Sequence, residues 1–139
     1  MIKELVTDEA VLSRPCAQAT ADDAQTAQDL LDTLAATEGA ACLAANQIGE
    51  AKAIVAYLDE ADEPHVMYNP KLLLGLGAFK TAEGCLTREG ETLVTRFQRA
   101  KVSYEEQVDG ALKPRKADFE GWTAQMIQHM IDHCKGRLV

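Results

Sequence analysis

The chain contains no apolar run of roughly 18 or more residues, so no segment is expected to span a membrane. The opening stretch, Met1-Ile2-Lys3-Glu4, lacks the apolar core of a signal peptide. The 4 cysteines are scattered and form no C-x-x-C pair. We therefore expect free thiols or a metal ligand instead of a disulfide framework, and a cytoplasmic protein.

Positive charge is also scarce. The 139 residues include 14 lysines and arginines against 22 acidic residues, which gives a net charge of −8. This balance argues against nucleic acid and against an anionic membrane surface as partners. The length predicts one domain, residues 1–139, and no repeat, low-complexity tract or linker divides it.

Helical periodicity predicts two helices. The first is expected from about residue 22 to 37, where Thr20 and Asp23 form a capping box and Gly39 provides a C-terminal stop. The second is expected from about residue 121 to 135.

Short apolar segments between the helices predict strands at residues 53–58, 66–68, 93–97 and 101–105. Asn69-Pro70 is expected to end the second strand, and a further apolar segment, residues 72–76, follows it. Asp109-Gly110 predicts a hairpin turn. Strands between two helices indicate an α+β fold with a mainly antiparallel sheet.

A pair of histidines in the second helix is a candidate metal site. His129 and His133 lie four residues apart and therefore on one helix face. Trp122 and Met126 share this face, so we expect the imidazoles to point toward the core. Two hydrogen-bonded core histidines would show the same spacing.

Cys85 is the candidate third ligand. A thiolate with two imidazoles leaves one coordination position open, as in catalytic metal sites. Cys85 could equally be a small buried residue.

Three segments together resemble the motifs of peptide deformylases, which are G-x-G-L-A-A-x-Q, E-G-C-L-S and Q-H-E-x-D-H. Their counterparts appear in the same order and with similar separations, and the resemblance covers essentially the whole chain: Ala40-Ala41-Cys42-Leu43-Ala44-Ala45-Asn46-Gln47, Glu83-Gly84-Cys85-Leu86-Thr87 and Gln128-His129-Met130-Ile131-Asp132-His133.

The resemblance implies a fold in which antiparallel strands surround a C-terminal metal-binding helix. It implies one divalent ion, Fe(II) in the cell, with zinc, nickel or cobalt as substitutes, held by Cys85, His129 and His133. The implied reaction removes the formyl group from formyl-methionyl peptide N-termini, and the peptide binds as an added strand. The resemblance also implies that Gln47 and the backbone N–H of Leu86 bind the oxyanion, and it assigns substrate-binding positions to Cys42, Leu43, Glu83 and Gly84.

Met130 departs from this pattern, because it occupies the position of the family's catalytic glutamate. A thioether cannot accept and return a proton at neutral pH. We expect an intact metal site with weakened or absent deformylase activity.

Other positions also bear on the site. Ala40 and Cys42 replace family glycines, and the Cys42 thiol could close the metal site or be a small buried side chain. Glu83 is expected to brace its loop by pairing with Arg96. Asp132 is expected to face away from the metal, at the helix surface or hydrogen-bonded to a histidine N–H.

Six residues follow His133, whereas many family members continue with a segment that contacts the ribosome in some of them, so ribosome contact is not expected. Three functions stay open at this level. The chain could be a slow hydrolase, a metal- and peptide-binding pseudoenzyme, or a structural metal protein closed by Cys42.

Overall fold

One antiparallel sheet organises the chain in the computed structural model, which describes residues 1–139. Its five strands are hydrogen-bonded in chain order, each antiparallel to the next. They are β1 (Cys42–Ala44), β2 (Ile54–Leu58), β3 (Pro64–Cys85), β4 (Arg88–Val108) and β5 (Ala111–Glu120). The predicted α+β class with a mainly antiparallel sheet is confirmed.

Three α-helices accompany the sheet: α1 (Glu9–Leu12), α2 (Ala24–Ala36) and α3 (Gly121–Cys134). The predicted capping box is present, since the Thr20 N–H donates to Asp23 Oδ2 at 2.8 Å and the Asp22 N–H donates to Thr20 Oγ1 at 3.2 Å. It begins a 3₁₀ turn that continues into α2. None of the helices has the length and apolar character needed to cross a lipid bilayer.

The central strands are longer than predicted, because the short segments merge into β3 and β4. The expectation that Asn69-Pro70 ends a strand is wrong. The chain passes through an irregularity between Tyr68 and Lys71, and Asn69 takes a φ of 53° there. The Asn69 side chain bonds both backbone groups of Ala19, which holds this bulge in place while β3 continues.

The predicted turn at Asp109-Gly110 is confirmed. Both residues have positive φ, 51° and 80°, as a two-residue hairpin turn requires. Val108 pairs with Ala111 directly across it.

The core consists of two apolar clusters on opposite faces of the sheet. Neighbouring residues of β2 supply one each: Ile54 packs in the cluster that contains Leu30 of α2, and Val55 in the cluster that contains Ile127 of α3. This alternation follows from the two-residue period of a strand. α3 is therefore anchored against the sheet, which places its ligand-bearing face at a defined position.

Candidate metal centre

The three predicted ligands lie together. His129 and His133 project from one face of α3, and their Nε2 atoms are 3.2 Å apart. Cys85, the last residue of β3, places its Sγ 3.4 Å from His133 Nε2. The three donor atoms all lie within 4.8 Å of one another, so this cluster could hold a metal ion.

The spacing fits one ion. Metal–nitrogen bonds of about 2.0–2.1 Å and a metal–sulfur bond of about 2.3 Å put tetrahedral ligand atoms roughly 3.3 Å apart for two nitrogens and 3.6 Å for nitrogen and sulfur. The observed separations, 3.2 and 3.4 Å, are close to these values.

The pKa values of Cys85 and His129 are shifted in opposite directions. Burial raises the pKa of the Cys85 thiol, but hydrogen bonds from His129, His133 and Thr87 outweigh burial and lower that pKa to about 5. Burial lowers the pKa of His129, and its bonds to Cys85 and Glu83 outweigh this effect and raise it to about 9. These opposite shifts pair a Cys85 thiolate with a protonated His129 at neutral pH. The thiolate has the protonation state that a metal ligand needs, whereas His129 must release its proton when an ion binds.

Glu83 orients the first histidine. Its Oε1 lies 2.8 Å from His129 Nδ1, which leaves Nε2 facing the other donors. Arg96 Nε and Nη2 both donate to this carboxylate, the latter at 2.7 Å, and Gln125 Nε2 donates to Oε2 at 2.8 Å. The expected Glu83–Arg96 pair is therefore present. Burial raises the pKa of Glu83, but these hydrogen bonds prevail and lower it to about 2.

Asp132 faces away from the metal cluster and pairs with arginines. Arg96 Nη1 donates to Asp132 Oδ2 at 2.7 Å, and Arg137 donates to Oδ1 at 3.4 Å. The suggestion that it orients a histidine is wrong, because both of its oxygens are bonded to arginine and two helical steps of about 100° each turn it away from the Met130 side of α3. His133 Nδ1 is buried and has no hydrogen-bond partner.

A cleft of about 430 Å³ opens beside the ligands. Gln47 lies in its wall: Oε1 accepts from the Ala44 N–H at 2.9 Å, while Nε2 donates to Thr87 Oγ1 at 3.1 Å and lies 3.5 Å from Cys85 Sγ. Leu86 also lines the cleft, and its N–H makes no hydrogen bond within the chain. The two predicted oxyanion donors therefore flank the same space.

The four positions assigned to substrate binding differ in their surroundings. Cys42 and Gly84 line the cleft, and Leu43 is fully buried in the apolar cluster that contains Leu30 of α2. Glu83 also lines the cleft, but both of its oxygens are bonded to protein donors, which favours an orienting role. Cys42 belongs to β1, the strand at one edge of the sheet, where an extended peptide could be added.

The Cys42 thiol is not part of the converging donor set. Burial raises its pKa to about 12, and the nearby Cys85 and Glu83 charges act in the same direction. Because Cys42 lies outside the converging set, the three donors would leave one coordination position of a bound ion open.

Met130 sits beside the ligand pair. Helical steps of about 100° place it about 100° from His129 and about 60° from His133. Its side chain is only 2% exposed, packs with Ile127 and Ile131, and lines the cleft. Glu83 is the only acidic residue in that lining, so no unoccupied carboxylate faces the cleft.

Trp122 and Gln125 lie in the first half of α3, at the end nearer to the cleft. Trp122 is 63% exposed and lies at the cleft mouth, so the expectation that it faces the core is wrong. It belongs to the first turn of α3, whereas Met126, one turn later, is buried as expected. Gln125 was not singled out from the sequence, although its position four residues before His129 places it on the ligand face.

Glu83→Gln is expected to lower zinc affinity about 10- to 100-fold, because the His129 N–H loses its carboxylate acceptor. Competition titration with a chromophoric chelator measures this. Gln125→Leu, which removes one donor to Glu83 and leaves its charge, serves as the control with little expected loss. Equal affinities of Glu83→Gln and wild type would contradict the orienting role.

Taken together, three converging donors, an open position and an adjoining cleft define a candidate catalytic metalloprotein. Comparison with known proteins identifies the class further. The family model described as polypeptide deformylase matches residues 2–139. The chain belongs to this family.

Individual relatives agree with the family match. A peptide deformylase of Clostridium beijerinckii is 36% identical over 141 residues, covering 100% of both chains. Peptide deformylase 2 of Vibrio cholerae is 38% identical over 113 residues, covering 79% of this chain and 66% of that relative. A peptide deformylase structure from Thermus thermophilus has a TM-score of 0.84 at 27% identity, and the match covers 99% of this chain and 83% of that one.

Proposed function

We propose that this protein binds formyl-methionyl peptide N-termini at the cleft and removes the formyl group, at a rate strongly reduced by Met130. The observation that carries the proposal is Met130 itself, a buried thioether between two ligands that otherwise converge with Cys85. Family membership supports the reaction, and the donor set supports dependence on a metal.

The residues around the cleft suit a formyl carbonyl. An ion held by the cluster would polarise a carbonyl and lower the pKa of a water molecule. In this proposal Gln47 Nε2, which now donates to Thr87 Oγ1 and lies 3.5 Å from Cys85 Sγ, would turn with the Leu86 N–H to donate to the carbonyl oxygen as it gains negative charge. Each such donor contributes about 3–4 kcal/mol. Through its contact with His129 Nδ1, Glu83 would keep His129 Nε2 free to bind that ion.

No side chain in the cleft is free to transfer the proton that the reaction requires. The departing amine must receive a proton, and a general acid–base typically accelerates such a step about 10²- to 10⁴-fold. Thioether sulfur cannot serve, and Glu83 is held by Arg96 and Gln125 with a pKa of about 2. Solvent or the substrate itself would have to relay the proton.

We further propose Fe(II) as the ion in the cell, with zinc, nickel or cobalt as substitutes, since a Cys–His–His set accepts several ions. A free Cys85 thiol fits the reducing cytoplasm.

A second candidate is a metal- and peptide-binding pseudoenzyme without turnover. The absence of an unoccupied carboxylate in the cleft favours it. A structural site closed by Cys42 is less well supported, because that thiol lies outside the converging set.

Turnover of a formyl-Met-Ala peptide by the nickel form separates the first two candidates. We expect slow hydrolysis that vanishes in Cys85→Ala together with bound metal, measured by elemental analysis and by release of formate. Cys16→Ala, at a cysteine outside the cleft lining, is the matched control. Turnover that survives in Cys85→Ala would contradict a metal-dependent site, and zero turnover by the loaded wild type would leave the pseudoenzyme.

A further inference from the structure

Sulfur is concentrated around the metal cluster. The chain has 4 cysteines and 4 methionines. Four of these eight side chains line the cleft that adjoins His129, namely Cys42, Cys85, Met126 and Met130. Thioether and thiolate sulfur are soft ligands that suit Cu(I). Zinc in proteins is instead held by Cys, His, Asp and Glu side chains, a set that does not include methionine.

We propose that Met130 is a thioether ligand and that the Cys85, His129, His133 and Met130 side chains together bind Cu(I). The inference rests on the metal site of the proposed function and extends it to a softer ion. Met130 would then supply a sulfur donor to the site, in addition to lacking the carboxylate of a glutamate.

The position of Met130 on α3 supports this role. It lies about 60° round the helix from His133 and about 100° from His129, on the side that faces the cleft. Its burial, at 2% exposure, keeps water from competing with a weak thioether bond. Two imidazoles, one thiolate and a weak axial thioether form a donor set that proteins use to hold copper.

The flexibility of the Met130 side chain is compatible with this role. Met130 belongs to the buried apolar cluster that contains Ile127 and Ile131, and its unbranched side chain has three rotatable bonds through which the sulfur would turn toward the ligands. Leucine could pack equally well but would supply no donor. Met130→Leu therefore separates packing from ligation.

Titration of the metal-free protein with Cu(I), in competition with a chromophoric Cu(I) chelator, tests the proposal. We expect Met130→Leu to weaken Cu(I) binding by about tenfold or more and to leave zinc affinity within about twofold of wild type. Met67→Leu is the matched control, because Met67 is equally buried in the same cluster but does not line the cleft. It should bind both ions as wild type does.

X-ray absorption on the Cu(I)-loaded wild type and Met130→Leu provides a measurement that does not depend on affinity. Two sulfur scatterers at copper, falling to one in Met130→Leu, would support the proposal. One sulfur scatterer in wild type, or equal Cu(I) affinity of wild type and Met130→Leu, would overturn it. If the Cu(I) proposal fails in this way but zinc still binds through Cys85, the proposed function stands. A protein that binds neither Cu(I) nor zinc would overturn the metal site itself.

Discussion

Met130→Glu is expected to raise the hydrolysis of formyl-methionyl peptides by about 10²- to 10⁴-fold over the wild type. The substitution places a carboxylate about 60° round the helix from His133, in the wall of the cleft. There it could take a proton from water and deliver it to the departing amine. An ion held by Cys85, His129 and His133 would offset the cost of burying the new charge.

The measurement compares kcat/KM of the nickel-loaded forms at equal metal content. Met130→Gln is the matched control, since it has nearly the same shape as glutamate but cannot exchange a proton. Equal rates for Met130→Glu and Met130→Gln would show that the missing carboxylate is not what limits turnover. Cys42, which lines the cleft where the deformylase motif has a glycine, would then be the next position to test, as Cys42→Gly combined with Met130→Glu.

Arg96→Leu is expected to lower the free energy of unfolding by about 3–5 kcal/mol, because it leaves buried carboxylates without their cation. Arg96 is 4% exposed and donates to Glu83 and to Asp132. Burial lowers its pKa, but the hydrogen bonds to those two carboxylates prevail and raise it. Urea denaturation followed by circular dichroism gives the free energy, and zinc affinity should fall with it because Glu83 also holds His129.

Arg99→Leu is the control for this prediction. Arg99 and Glu120 form an exposed pair at 3.7 Å, for which a loss of no more than about 1 kcal/mol is expected. Similar losses in Arg96→Leu and Arg99→Leu would contradict the structural role of the buried network.

The pH dependence of stability provides a second readout of Arg96→Leu. The folded-state pKa of Glu83 is about 2, below its ordinary value of 4.5, so the carboxylate contributes stability above pH 4.5 that is lost as the pH falls toward 2. Without Arg96 this depression is smaller. The stability difference between wild type and Arg96→Leu should therefore narrow on acidification through that range.

Local sequence patterns did not predict the length of the central strands. Short apolar segments predicted separate strands, whereas β3 and β4 are continuous and β3 runs through Asn69-Pro70 and Gly77. Proline and positive-φ residues end strands in isolation, but pairing with β4 and the Asn69–Ala19 hydrogen bonds supply the energy that carries the chain through. A local pattern does not contain those partners.

The sequence by itself identified the three candidate ligands, and it placed Met130 where the deformylase motif has a glutamate. His129 and His133 share a helix face by periodicity alone, and Met130 stands between them in the chain. Only the tertiary structure decided how His129 is oriented. Glu83 lies 46 positions from His129, and Arg96 joins it to Asp132 from a different strand. Such contacts depend on the register of β3 against β4 and on the packing of α3 against the sheet, because long-range side-chain pairs are set by how whole elements dock and not by spacing along the chain.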